Sequence, residues 1–482
     1  MRDRAIGLPL YLASLLGGCA AAPDYSRPAS SFPPTYQNGA AVEARTAGTQ
    51  AADLVQWWSA FDDPVLASLV EQGLSQNLDL EQARARIVQA RAALKGANAA
   101  LLPSGQISGQ AGQAYQSLET PVGRVASAFP GFDRSVSTYE VNLGASWELD
   151  AFGGKDAARD AARADWQASE AGAVAVRLSV AAQIADSYVT IRMVQNRLNV
   201  ARSQLATQTR LLDLVRLQFS RGLASDLQVN QADGALSQAR ASVPALQNQL
   251  DIALNALAVL LGRQPGSMQD VLAQPSAIPS PPTISTAGGP AALLRRRPDI
   301  IAAERKLAAS SARIGAAMSE YYPKFTLSGL LGTATTNAGG LFTGNAIQAN
   351  GILGLRWRLF DFGRVDAEIA AAKGQNAEAL AAYKLTVLRA SQDVEDAFST
   401  LVQQEQRAAL LTDSEASLRK ARDRAEIAYK GGISSLVEVL DADRRLLEAR
   451  DGALQAKADA AHGAVASFRA LGGGWASPES VH

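Results

Sequence analysis

The chain of 482 residues holds one cysteine, two histidines and no excess of either charge, and each shortage removes a class of function. A single thiol cannot close an internal disulfide, nor can it supply a zinc cage or an iron–sulfur site. The histidines are His462 and His482, the second being the last residue, so imidazole acid–base or metal chemistry has almost nothing to work with. Lys plus Arg and Asp plus Glu both total 46, which gives no electrostatic footprint for nucleic acid. No Ser-His-Asp set or phosphate loop is recognisable. Gly472-Gly473-Gly474 lies at the chain end with no strand before it, unlike a phosphate loop. The expectation is a protein that is not an enzyme and has no metal, no cofactor and no nucleic-acid partner.

The one cysteine is informative through its position. Arg2 and Arg4 give a basic start, Ala5 to Leu16 form an apolar run too short to span a bilayer, and Leu16-Gly17-Gly18-Cys19 follows. This reads as a secretion signal over residues 1–18 ending in a lipobox. Cys19 then becomes the lipidated first residue of the mature chain, carrying a covalent lipid such as palmitate, and stable anchoring takes two or more acyl chains. An ordinary signal peptide containing a cysteine is the plainer alternative.

The body of the chain is a tandem duplication. Trp147-Glu148-Leu149-Asp150-Ala151-Phe152-Gly153 returns as Trp357-Arg358-Leu359-Phe360-Asp361-Phe362-Gly363, an offset of 357 − 147 = 210. The same offset joins Asp186 to Asp396, Phe219 to Tyr429, Gly222 to Gly432, Ser225 to Ser435 and Asp233 to Asp443. Upstream, Leu102-Pro103 answers to Tyr322-Pro323 at an offset of 220, so an intervening loop is ten residues longer in the first copy. The expected division is a signal peptide (1–18), an extended lipid-anchored segment (19–64), a first repeat (65–273), a Pro-, Ser- and Gly-rich linker (274–290), a second repeat (291–471) and a tail (472–482).

Each repeat has the same order of elements. Val65 to Leu101 has helical spacing and is stopped by Pro103. Tyr139, Val141, Leu143, Ala145, Trp147 and Leu149 then alternate with polar or small residues at period two, as in a strand between lipid and water, although a soluble half-buried strand alternates in the same way. Phe325 to Leu331, Leu353 to Leu359 and, more weakly, Ser104 to Tyr115 repeat the pattern. Four such strands can cross a bilayer, but closing a membrane barrel takes at least about eight. Open backbone edges in lipid are costly, so the chain must oligomerise edge to edge.

Proline-free stretches from Lys155 to Gln218 and from Arg364 to Ala428 predict helices that could reach about 95 Å. Val174, Leu178, Ala181, Ala185 and Tyr188 are spaced four, three, four, three, and Val387, Ala390, Val394, Ala397 and Leu401 three, four, three, four, which is coiled-coil spacing. A glycine turn and a returning helix follow each stretch.

The lipobox, Ala22-Pro23-Asp24-Tyr25-Ser26-Arg27-Pro28, Trp57-Trp58-Ser59-Ala60-Phe61-Asp62-Asp63-Pro64, Arg297-Pro298-Asp299-Ile300 and Ala470-Leu471-Gly472-Gly473-Gly474-Trp475 together resemble the TolC-like outer membrane factors, in their OprM-like lipoprotein branch. The resemblance implies a mixed α and β membrane protein. Each protomer of a homotrimer would give four strands to a twelve-stranded β-barrel in the outer membrane and long antiparallel helices to a periplasmic α-barrel. It implies the exit duct of a tripartite efflux pump for drugs, a passive channel working with a periplasmic adaptor and an inner-membrane transporter. A type I secretion duct for proteins and a periplasmic scaffold lipoprotein without a pore are the alternatives.

The resemblance also implies a periplasmic gate just after the second glycine turn. Glu438, Asp441 and Arg444 fall on the family's gate motif and Tyr429 on another gate position, while the first copy has Gln228 and Gln231 where the acids stand. Gly222-Leu223-Ala224-Ser225 and Gly432-Ile433-Ser434-Ser435 would be the turns that meet the adaptor; a plain tight turn needs glycine as well.

Overall fold

A computed structural model describes residues 25–29, 32–45, 52–286 and 289–476; Cys19, the expected signal sequence and the end of the tail, His482 included, lie outside the described residues. In chain order the helices and strands are α1 (Gly39–Ala44), α2 (Pro64–Gln76), α3 (Leu78–Ala99), β1 (Ser104–Tyr115), α4 (Pro121–Ser127), β2 (Ser135–Leu149), α5 (Gly154–Ser220), α6 (Asp226–Leu260), α7 (Leu293–Arg296), α8 (Pro298–Met318), β3 (Lys324–Thr335), β4 (Ile347–Arg356), α9 (Arg364–Lys430) and α10 (Leu436–Ala470). The duplication survives in the element bounds. Helices α5 and α9 have 67 residues each, α6 and α10 have 35 each, and their first residues differ by 210. Strands β1 and β3 have 12 residues each and start 220 apart.

The chain forms two compact units, and neither is a repeat. Of the described residues, one takes 88–167 and 304–381 together with 25–27; the other takes those in 28–87, 168–303 and 382–476. The first holds the sheet, antiparallel throughout in the order β1-β2-β3-β4. Ser104 faces Ser146 in the first hairpin and Lys324 faces Arg356 in the second; adding 220 and 210 to the first pair gives the second, so both hairpins share one register. In the same unit, Glu304 is 1% exposed and takes the Tyr25 hydroxyl at 2.6 Å and Arg305 at 2.6 Å, which fastens the start of the described chain to α8.

The second unit is built on the four–three stripes. Leu178, Ala181, Ala185 and Tyr188 on α5 are buried, as are Val387, Ala390, Val394, Ala397 and Leu401 on α9. Such stripes let alanine-rich helices pack closely, and at Gly463 a Cβ would stand 2.9 Å from the backbone nitrogen of Leu401. The segment expected to be extended carries α1 and a 3₁₀ turn, Trp57–Phe61. Trp57 is 1% exposed and stacks on Phe468 with centroids 5.4 Å apart. Burial of these rings draws the segment into helical turns against the core. Arg297 donates to Asp299, to Asp393 at 2.9 Å and to the carbonyls of Ala390 and Ala470, tying α8 to α9 and α10.

Two expectations shift in detail. The helix expected over 65–101 is two, because Asn77 caps both ends: its own N–H bonds Gly73, its Oδ1 accepts from Asp79 and Leu80, and its Nδ2 donates to the Leu260 carbonyl. Strand β4 stops at Arg356, short of Trp357 and Leu359. Among the described residues no strand lies on its outer side to hold those residues extended. The linker from Gln274 onward has no helix or strand among its described residues before Pro290, yet Arg192 and Asn196 of α5 donate to the carbonyls of Gln274 and Ser276 and pin it.

Candidate functional site

The expected site residues gather at the two hairpin tips, where α5 turns into α6 and α9 into α10. Each turn closes with glycine in the left-handed region, Gly222 at φ +74° and Gly432 at +73°, which L residues resist. Leu223 N–H bonds Gln218 and Ile433 N–H bonds Ala428, each at 2.9 Å, which satisfies carbonyls left over at the helix ends. Ser225 and Ser435 cap the returning helices. Gln228 completes a capping box by accepting from the Ser225 N–H at 2.8 Å, whereas Glu438 takes the Ser434 hydroxyl. Gln228 thus has a local structural duty, and Gln231 is half-buried beside it.

Beneath the turns the two tips share one apolar cluster: Leu211, Leu212 and Val215 of α5, Ala232 and Leu236 of α6, Tyr429 of α9, and Leu436 and Val439 of α10, with Ala224 packed against it. The Tyr429 hydroxyl donates to Gln218 at 2.7 Å, so the tyrosine joins the second tip to the first, and burial raises its pKa. Outside the cluster the tips expose apolar residues, Leu223 at 76% and Ile433 at 87%.

Asp441 and Arg444 pair at 2.7 Å within α10, and Arg445 also reaches Asp441, at 2.8 Å. Arg444 in turn holds Glu448 at 2.8 Å. The Arg444 hydrogen bond, with Arg445, holds the Asp441 carboxyl below its ordinary range, so it is charged at neutral pH. These groups, like Glu438, face outward from the cluster.

The structure adds a network that the motif reading missed. Asp443, two residues beyond Asp441, is 3% exposed, receives Arg422 of α9 at 2.8 Å and accepts from Gln208 of α5 at 3.3 Å. Arg422 also contacts Asp423 and Glu426. Burial pushes the Asp443 carboxyl up despite the arginine, while the carboxylates around Arg422 outweigh its own burial and raise its pKa. The signal was present in the sequence. Carried onward from Leu401, the alternating stripe of α9 passes through Gln404, Ala408, Leu411, Glu415 and Leu418 to Arg422, and the first copy has Leu212 at the matching position. A charge on an apolar stripe calls for a buried partner. Asp233, the first-copy image of Asp443, is instead 53% exposed and meets Arg216 at the surface.

In the sheet, one face carries the apolar residues of all four strands. Leu143, Leu327, Leu331, Leu353, Leu355 and Ile107 are each about half exposed or more, and cross-strand pairing puts them on one side. At the strand ends nearest the helices, Trp147 Nε1 donates to the Leu101 carbonyl and Trp357 Nε1 to that of Tyr321, an arrangement again related by 210 and 220. A wide apolar band with indoles at its margin fits the lipid face of a membrane strand.

Comparison with known proteins agrees with this geometry. Residues 69–263 and 289–473 match the family described as outer membrane efflux protein, two spans that follow the duplication. Outer membrane protein OprJ of Pseudomonas aeruginosa is 31% identical, with 100% of this chain and 98% of OprJ aligned. The toluene efflux pump outer membrane protein TtgF of Pseudomonas putida is 32% identical over 97% of this chain and 96% of its own. The solved structure of the outer-membrane channel OprN superposes with a TM-score of 0.84 at 32% identity, covering 95% of this chain and all of that one. The chain belongs to the outer membrane efflux protein family and is an outer-membrane efflux channel of the TolC-like trimeric fold, four strands and two long helical hairpins to a protomer.

Proposed function

We propose that the protein is the gated exit duct of a drug-efflux pump, tethered to the outer membrane by lipid on Cys19. The gate lies at the hairpin tips, with Asp441 and Arg444 as its principal pair, Glu438 as a second acidic ring and Tyr429 as the strut to the first hairpin. Gln228 and Gln231 leave the first hairpin without acids at the positions matching Glu438 and Asp441, so this pair of acids belongs to the second alone. The observation that carries this reading is the division of labour on α10: Asp443 turns inward to Arg422, while Asp441, Arg444 and Glu438 stay at the surface with their charges uncommitted to the core. In a trimer, three copies of such a face would ring the entrance with carboxylates and favour cations. The exposed turns Gly222-Leu223-Ala224-Ser225 and Gly432-Ile433-Ser434-Ser435 are the docking points for a periplasmic adaptor, which links the duct to an inner-membrane transporter. Their exposed Leu223 and Ile433 support an apolar contact there.

The test is single-channel conductance of the mature protein in planar bilayers, compared with an Asp441→Ala, Arg444→Ala double variant. The expected result is small, cation-preferring conductance that rises several-fold in the variant. Equal conductance in both would place the gate elsewhere, and absence of conductance from inserted protein would refute the duct.

A further inference from the structure

Among the described residues, sheet edges β1 and β4 have no partner strand within the chain, and β1 is exposed along nearly its whole length. The internal duplication says how those edges meet a second copy. Strand β2 is the first-copy image of β4, at an offset of 210, and β3 is the second-copy image of β1, at 220. The β2–β3 junction inside the chain is therefore the template for a β4–β1 junction between chains. Paired residue numbers across β2–β3 sum to 474, as in 139 + 335 and 149 + 325. Moving one side up by 210 and the other down by 220 gives a sum of 464.

We infer that β4 of one protomer pairs antiparallel with β1 of the next in the register that sets Gly354 opposite Gln110 of the partner subunit and Asn350 opposite Ala114 of the partner subunit. This rests on the trimeric channel reading and adds the seam's register to it. The same operation acts on the aromatic lock below the sheet. Phe152 stacks on Tyr322 at 4.7 Å and 13°, and 152 + 322 is again 474. Its image sets Phe362 over Leu102 of the partner subunit. Within one chain Phe362 is 101% exposed and Leu102 is 65% exposed, so both sides of the lock are bare until a second copy arrives.

The facing of the side chains, and the regularity that the duplication itself imposes, separate this register from its neighbours. A slip by one residue would put Ile107 and the β4 leucines on opposite faces, which the lipid side forbids. A slip by two would break the regularity of the barrel. Residue 104 faces 146, and 474 − 146 is 328, so crossing two strands inside the chain advances the register by four residues beyond the image of 104 at 324. The inferred seam advances by four as well, whereas sums of 462 and 466 advance by two and six. Finally, both hairpins keep one register, so the copies have not drifted relative to each other.

Disulfide mapping in intact outer membranes tests it, with the parent chain as control for Cys19. Gly354→Cys with Gln110→Cys, and separately Asn350→Cys with Ala114→Cys, should give covalent dimers and trimers on oxidation, resolved by non-reducing gels. Gly354→Cys with Ser108→Cys and Gly354→Cys with Gly112→Cys report the two slipped registers and should give few. Gly144→Cys with Leu330→Cys is the image pair inside one chain and confirms that the sheet is folded and reachable by the oxidant. Stronger linking from a slipped pair overturns the register but keeps the trimer. Closure of the internal pair with no intermolecular link, in protein that is trimeric by size in detergent, overturns β4–β1 pairing itself. A monomeric parent chain would sink the channel reading and the seam together.

Discussion

Arg422→Leu restores at the second hairpin the residue that the first hairpin carries as Leu212. The leucine fits an apolar stripe, yet it strands Asp443, which is 3% exposed and would keep only Gln208 at 3.3 Å. Removing one partner of a buried ion pair costs about 3–5 kcal/mol. Arg422 is 18% exposed, which places the loss near the lower end, about 3 kcal/mol. Hydrogen exchange is the assay, since tips open locally before the whole protein unfolds. At roughly 1.4 kcal/mol per factor of ten, amides in the last turns of α9 and the first turns of α10 should exchange about a hundredfold faster. The double variant Arg422→Leu, Asp443→Leu should recover most of that protection, because two apolar groups replace the pair. The effect depends on pH in a definite direction. Asp443 has its folded pKa raised by burial, so between its ordinary value and the raised one the folded state holds the extra proton, and stability falls as pH rises through that window. Without Arg422 the raised value climbs further, so acidification should narrow the gap between variant and parent. Unchanged exchange in Arg422→Leu, or no recovery in the double variant, would refute the claim that charge pairing holds the second tip.

Two further substitutions probe the scaffold around the site. Gly432→Val forces a β-branched residue to φ +73°, where L residues pay about 1–2 kcal/mol; limited proteolysis should cut the second tip several-fold faster and leave the first unchanged. Trp57→Ala empties a fully buried aromatic site stacked on Phe468 and should cost about 3–5 kcal/mol, read as a drop of several degrees in the thermal loss of helical circular dichroism; a shift within error would show that the stacked rings are not a core.

Much of this architecture is legible in the sequence because duplication supplies an internal comparison. Repeating offsets separate the two copies, period two marks the strands, and the four–three stripes mark the helices, all before any contact is known. Other features depend on tertiary partners. Asn77 breaks a periodic helix only because a carbonyl at the end of α6 receives its side chain. The end of β4 at Arg356 falls short of the apolar alternation, which period two alone does not foresee. At the site, Asp441 and Arg444 show themselves by spacing, but Asp443 looks like one more surface acid until Arg422 arrives from another helix. Local pattern cannot tell an acid on an exposed face from one turned inward when both sit in a run as polar as Asp441-Ala442-Asp443-Arg444.

The two hairpins have the same backbone and different electrostatics. Helices of 67 and 35 residues, a glycine near +73° and a serine cap recur at an offset of 210, so nothing in chain length distinguishes the tips. Leu212 and exposed Asp233 in the first stand against Arg422 and buried Asp443 in the second. The hydrophobic effect has no preferred direction, whereas charge-assisted hydrogen bonds at 2.8 Å hold only over a narrow geometry and, once buried, are poorly screened by salt. The exposed Asp441–Arg444 pair, by contrast, weakens as ionic strength rises. Salt therefore acts on the outer face of the second hairpin and leaves its inner tie intact. Arg422 and Asp443 therefore hold α9 to α10, and through Gln208 to α5, beneath a surface whose charges answer to salt.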